Sequence, residues 1–182
     1  MGMAISVPRY TVHDLERFPD DGNRYELLAG MLLVTPAPRA AHQIVANRIQ
    51  TRLTVLLEWP GHARVVGPGA IVVPPATQLQ PDILVYPARF SPQTDWAKVT
   101  EHWLAVEILS RSSRMYDREV KRAAYLALGV PELWLVDYHD RSVEVWRSRG
   151  APEVVRDAIR WHVPILELIA VVDLAEVFAG LE

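Results

Sequence analysis

Two acidic residues stand where acids are costly. Asp82 follows Pro81 and precedes Ile83-Leu84-Val85, at the very start of an apolar run. Glu107 lies inside another, between Val106 and Ile108-Leu109. An ionised carboxylate in a central strand is strongly destabilising unless it is paired or holds a metal. Two acids at corresponding positions of neighbouring strands would form a hard-oxygen pair. Such a pair suits Mg²⁺, which takes one or two carboxylates and keeps its other sites for water and phosphate oxygens. The alternative is that each acid faces solvent, or meets an arginine, on a half-exposed sheet.

The segment after Glu107 supplies cations. At about 100° per residue, Arg114, Arg118, Lys121, Arg122 and Tyr125 share one side of a helix, and Tyr116, Val120, Ala123, Ala124 and Ala127 share the other. The spacing predicts a basic stripe backed by a small-residue face lying close to a sheet. Residues 111–122 hold five bases and two acids, a local charge of +3. Alone, this reads as a solvated helix face with Asp117 and Lys121 as an i,i+4 ion pair. Beside two metal-competent carboxylates it reads as a surface for phosphate oxygens. Tyr125 either contacts substrate there or closes the helix against the sheet.

The elements that must position these residues follow from patterning. A first helix starts at Thr11, with Asp14 as the capping-box acid, and stops near Phe18-Pro19. Tyr25–Leu28 and Met31–Val34, joined by Ala29-Gly30, read as a β-hairpin. Arg39–Glu58 is the longest helical pattern, with Ile44, Ile49, Leu53, Leu56 and Leu57 largely on one face and Arg48 and Arg52 away from it. Strands are expected at Ala63–Val66, Ile71–Val73, Asp82–Tyr86, Trp103–Leu109, Glu132–Asp137 and Val143–Arg147. A helix from Ser113 to Leu128 ends at Gly129, with Pro131 beyond it. This order is that of an α/β or α+β fold with a mixed central sheet, expected as a single domain over residues 1–182. Trp103 and Trp134 belong to the core in this reading.

Composition narrows the function classes. Half of the 182 residues are hydrophobic and 23% are charged, which marks a folded chain. Without cysteine there is no disulfide framework, thiolate nucleophile or cysteine-based metal site. The six histidines show no i,i+4 pair, so a zinc site is not expected. Among them His42 is kept open, either as a helix-start polar residue or as part of a site. There is no Gly-x-Ser-x-Gly elbow, Walker loop or dinucleotide fingerprint. No signal-like leader or membrane-spanning run is visible, so a cytoplasmic location is expected. The net charge of −3 is unevenly spread: residues 151–182 carry six acids and two bases, whereas residues 1–150 are close to balanced. Net charge therefore does not exclude a polyanionic partner.

Taken in order, Tyr25-Glu26-Leu27-Leu28-Ala29-Gly30, Thr35-Pro36-Ala37-Pro38 with His42, Pro81-Asp82, Glu107-Ile108-Leu109-Ser110, Asp117 with Lys121 and Tyr125, Glu132–Asp137 and Ser142–Trp146 resemble the Uma-type branch of the PD-(D/E)XK nuclease superfamily. This is a large bacterial group of restriction-endonuclease-like domains. The resemblance runs from about residue 10 to the C-terminus. It implies a restriction-endonuclease-like mixed sheet flanked by helices, with the acids at a strand bend. It also implies that Asp82 and Glu107 are the two motif acids and that Glu26 is an additional acid. The superfamily lysine two residues after the second acid is absent, Leu109 standing there, and Lys121 on the following helix matches the relocated position. The implied activity is Mg²⁺- or Mn²⁺-dependent hydrolysis of phosphodiester bonds, most simply as an endodeoxyribonuclease. Asp82, Glu107 and the Ile108 backbone carbonyl would hold the metal, with Glu26 assisting directly or through water. Lys121 would act on the attacking water or the phosphate, and His42 would lie near the site.

Three functional readings follow. The leading one is a metal-dependent nuclease acting on DNA or another nucleic acid, working as a homodimer. The second is a catalytically inactive member of the same fold that binds nucleic acid or a partner, with Arg114, Arg118, Arg122 and Tyr125 as its contact surface. The third is a dimeric structural or regulatory protein with Pro164–Phe178 as its interface.

Overall fold

The computed structural model describes residues 9–110, 117–147 and 150–181. A short 3-10 helix, Val12–Arg17, opens the chain. Both the backbone N–H and the hydroxyl of Thr11 donate to the Asp14 carboxylate, at 2.8 and 2.7 Å. The hairpin follows as β1 (Arg24–Leu28) and β2 (Met31–Thr35). Ala29 and Gly30 both have positive φ, at 50° and 83°, which matches the right-handed twist of a two-residue hairpin. With β4 (Ile71–Val73) and β5 (Thr77–Leu79) this hairpin forms a small antiparallel sheet of order β2-β1-β5-β4. The three-residue strand β5 is absent from the sequence reading, because Thr77-Gln78-Leu79 is too short to show a period of two.

The central sheet has six strands: β3 (Ala63–Val66), β6 (Ile83–Pro87), β7 (Leu104–Ile108), β8 (Glu132–Asp137), β9 (Ser142–Trp146) and β10 (Glu153–Val155). Their order is β10-β9-β8-β7-β6-β3. Among the described residues only β7 and β8 are parallel neighbours. A parallel pair needs a crossover, and here it is the helical segment that carries Lys121.

One face of the sheet packs against α1 (Ala40–Leu53), whose last turns widen into a π-type turn over Thr54–Glu58. Its buried side chains are His42, Val45, Ala46, Ile49 and Leu53, whereas Ile44 is exposed. Arg48 and Arg52 lie off that face and donate to the carbonyls of Val177, Ala179 and Val171. These carbonyls belong to a C-terminal layer made of the β11 (Ala158–His162) and β12 (Ile169–Asp173) hairpin and the short α3 (Leu174–Val177), with α2 being Arg122–Ala127. Trp161 of β11 meets Trp134 of β8 edge-on, their centroids 6.0 Å apart. Trp103 and Trp134 are both buried.

Of the Pro164–Phe178 run, Ala170, Val172, Leu174, Val177 and Phe178 are buried in the chain's own core, whereas Ile165 and Ile169 are exposed. Among the described residues no helix is long and apolar enough to cross a membrane.

The opposite face carries Leu84, Ala105, Leu133 and Leu135 against Ala124, Tyr125 and Val130. Ile71 and Leu79 of the small sheet join the same cluster. Here the crossover helix differs from expectation. Residues 113–116 lie outside the described residues, Asp117–Lys121 is a π-type turn, and only Arg122–Ala127 is α-helical. Lys121, Ala124 and Tyr125 face inward, while Ala123 and Ala127 are exposed. The small-residue face is therefore not the one against the sheet. Buried carboxylates on the sheet draw Lys121 inward, and charge pairing outweighs the apolar periodicity that the sequence reading relied on.

Candidate active site

Strand register brings the two acids together. Ile83 pairs with Val106 across antiparallel β6 and β7, so the next step sets Asp82 opposite Glu107. Directly opposed residues share a face, and this face is the one covered by α2. Glu26 reaches the same place from β1, and Gln80, just before Pro81-Asp82, ties the two sheets. Its backbone N–H donates to Glu26 Oε1 at 2.7 Å.

Each carboxylate is held by named groups. Asp82 accepts from Arg24 Nη1 on Oδ1 at 2.9 Å and from the Ile108 N–H on Oδ2 at 2.8 Å, and His42 Nε2 lies 3.0 Å from Oδ2. Glu107 Oε1 accepts the Tyr125 hydroxyl at 2.6 Å and the Lys121 ammonium at 3.2 Å. The same ammonium lies 2.7 Å from Glu26 Oε2. Lys121 thus bridges two acids on two different sheets. Glu26, Asp82, Glu107, Lys121, Tyr125 and His42 are all buried.

The electrostatics follow from that burial. Desolvation raises the Asp82 carboxyl, but the His42 hydrogen bond and charge, the Arg24 guanidinium and the Ile108 N–H together hold it below its ordinary value. Burial is also the main reason that the Tyr125 phenol is pushed well above its ordinary value, with the Glu107 and Glu26 charges adding to it. Tyr125 is therefore a hydrogen-bond donor to Glu107. For Arg24 burial acts against the charge, and the Asp82, Glu107 and Glu26 carboxylates more than offset it.

The sequence reading brought Glu26, Asp82, Glu107 and Lys121 into one site, and the structure puts them in one cluster. It also puts Tyr125 and His42 there. Ile108 touches the site through its N–H, which donates to Asp82 Oδ2. Arg118 and Arg122 do not join the cluster as a continuous stripe. Arg118 Nη2 is 2.6 Å from Glu144 and 3.7 Å from Asp137. Arg122 donates to the Arg118 carbonyl and lies over the Trp146 ring, 4.2 Å from its centroid. Arg114 lies outside the described residues. Arg24 was missed by the sequence reading. Its position two residues before Glu26 on a strand puts it on the same face as that acid, which was the available signal.

Among the described residues no three His, Asp or Glu side chains form a ready metal cage. The donor chemistry nonetheless fits a hard divalent cation. Three carboxylates, Glu26, Asp82 and Glu107, face two permanent cations, Arg24 and Lys121, a formal excess of one negative charge among these five groups. Asp82 and Glu107, cross-strand neighbours, are the carboxylates that a divalent cation would take.

A mixed sheet with opposed acids on adjacent strands, and a lysine from the crossover helix, is the arrangement that the resemblance to restriction-endonuclease-like domains implies. The family model described as "Uma2: Putative restriction endonuclease" matches residues 12–180. The chain belongs to this family. Its fold is similar to a crystal structure described as "a putative nuclease belonging to DUF820 from Anabaena variabilis". The TM-score is 0.74 at 19% identity, covering 92% of this chain and 97% of that one. No curated protein matches the chain.

Proposed function

We propose that this chain is a divalent-metal-dependent nuclease that hydrolyses phosphodiester bonds of nucleic acid, with DNA as the first substrate to test. The observation that carries this reading is Lys121, whose ammonium lies 2.7 Å from Glu26 and 3.2 Å from Glu107, the acid that strand register sets opposite Asp82. Asp82 and Glu107, with the Ile108 carbonyl and Glu26 in support, would hold Mg²⁺ or Mn²⁺. When bound, the ion polarises the phosphate and favours hydroxide as the nucleophile. Lys121 orients the attacking water and then stabilises charge on the phosphate oxygens. His42 and the Ile108 N–H fix the Asp82 carboxylate, and the Tyr125 hydroxyl fixes Glu107. Water adds to phosphorus and gives up a proton to solvent, the P–O bond to the leaving nucleotide breaks, and the departing oxygen takes a proton from solvent.

The test is cleavage of plasmid and linear DNA with Mg²⁺ or Mn²⁺. Wild-type protein should cut, chelator should stop it, and Asp82→Asn or Glu107→Gln should lower the rate about a hundredfold or more. Equal cleavage by Asp82→Ala would refute the assignment. The second reading, a non-catalytic nucleic-acid-binding module, draws on the fact that each site carboxylate already has a cation from its own chain. In that case cation titration finds no binding, and Asp82→Asn leaves nucleic-acid affinity unchanged. Pairing of two copies would set two sites on one duplex. Sedimentation over a range of concentrations tests it.

A further inference from the structure

Arg24 has a geometry that the proposed mechanism does not use. Its Nη1 carries both of its hydrogen bonds, to Asp82 Oδ1 at 2.9 Å and to the Gln80 carbonyl at 3.0 Å. Nε and Nη2 make none with the described residues. That pair of nitrogens is one of the edges through which guanidinium binds phosphate or carboxylate in a fork. The side chain is 21% exposed, against 4% for Lys121 and 5% for Asp82. Arg24 is thus the more outward of the two permanent cations, anchored at one nitrogen with an unused edge.

Charge points the same way. Among the three carboxylates, Arg24 and Lys121, the formal excess of one negative charge becomes an excess of one positive charge once a divalent cation joins Asp82 and Glu107. One phosphodiester, with a single negative charge, restores neutrality. Arg24 lies directly on one of those two carboxylates, so an anion drawn to that centre meets its unused edge. A carboxylate would use the same fork, but the place of Arg24 on Asp82, one of the two acids proposed to hold the metal, favours the phosphodiester on which that metal would act.

We propose that Arg24 is a substrate-binding residue, gripping a phosphate of the nucleic-acid backbone through Nε and Nη2 while Nη1 stays on Asp82 and Gln80. The inference rests on the nuclease reading for the identity of the anion. It also assigns Arg24 a role that a simple holder of Asp82 would not have.

The experiment uses a fluorescein-labelled 20-mer duplex, with anisotropy read across a salt series in Ca²⁺, and Mn²⁺ affinity measured separately by calorimetry. In Arg24→Met, duplex affinity should fall roughly tenfold and the slope of log K against log[salt] should drop by about 0.9, the loss of one phosphate contact. Mn²⁺ affinity should stay within about threefold of wild type, because the ligands themselves are intact. Arg24→Lys, which keeps the charge without the fork, guards against a folding defect. It should keep the salt slope but still lose about fivefold in affinity. Wild-type duplex affinity and slope in both variants would overturn the proposal. So would loss of Mn²⁺ affinity with duplex binding intact, which would make Arg24 a positioning residue for Asp82. Failure of the nuclease reading looks different: the wild-type protein would neither bind Mn²⁺ nor cut DNA, whatever the Arg24 variants do to duplex affinity.

Discussion

Replacing Lys121 with methionine keeps most of the side-chain volume and removes the charge that joins two sheets. The ammonium lies 2.7 Å from Glu26 and 3.2 Å from Glu107. At an effective dielectric of about 20 these contacts correspond to gross attractions of about 6 and 5 kcal/mol. Much of that is offset by the cost of desolvating the ammonium, a cost that the variant no longer carries. What remains in the variant is a pair of buried carboxylates without their shared cation. Breaking a buried pair in this way typically costs about 3–5 kcal/mol. For a chain of this size that is a fall in Tm of about 6–20 °C. Urea denaturation gives the free energy directly. A double-mutant cycle with Glu26→Gln separates the pair from general packing. Removing one acid together with the lysine should recover about 1–3 kcal/mol of the single-variant loss. If Lys121→Met is within 1 kcal/mol of wild type, roughly the scatter of surface changes, the bridging ammonium is not what holds the two sheets together here.

Three further outcomes follow from particular contacts. Tyr125→Phe deletes a 2.6 Å hydrogen bond to Glu107 and should cost about 1.5–3 kcal/mol, with kcat reduced more than KM is raised; unchanged kcat would deny Tyr125 its role in positioning Glu107. His102 is buried with an unpartnered Nε2, and burial lowers its pKa to about 4. The unfolded chain therefore takes up a proton at pH values where the native protein does not. Stability should fall as pH drops from about 6.5 towards 4, by roughly 3 kcal/mol from this group, and His102→Gln should flatten that slope in urea titrations. Gly67 passes so close to the site that a Cβ there would lie 2.7 Å from the Asp82 carbonyl oxygen. Gly67→Ala should thus shift the Asp82 backbone and lower cleavage tenfold or more, for a stability loss of only about 1–3 kcal/mol; wild-type cleavage by this variant would show that Asp82 tolerates such movement.

What could be read from sequence depended on whether a local pattern decides the geometry. The hairpin at Arg24–Thr35 and the strands Ala63–Val66, Ile71–Val73 and Glu132–Asp137 have turn residues and apolar runs that specify them locally. The C-terminal layer did not stand out, because β11 and β12 are a separate two-stranded hairpin whose buried residues need α1 and the central sheet as partners. The acids of the site were legible for a related reason. Asp82 and Glu107 interrupt apolar strands, and an interruption of that kind requires a compensating cation or metal. The orientation of the crossover helix was not legible. Its helical period placed Arg118, Arg122, Lys121 and Tyr125 together, yet Lys121 and Tyr125 turn to Glu107 while Arg118 turns to Glu144 and Arg122 to Trp146. Period alone cannot separate these partners, because the choice depends on which strand presents an acid below each turn. The same dependence hid Arg24. Its partner is 58 positions away in the chain, and only the pairing of β1 with β5 carries it to Asp82. The cluster is therefore assembled from both sheets, with Gln80 as the joint: its N–H fixes Glu26 and its carbonyl fixes Arg24. A displacement at that one peptide would disturb an acid and a cation together, so site geometry and the docking of the small sheet are the same structural problem.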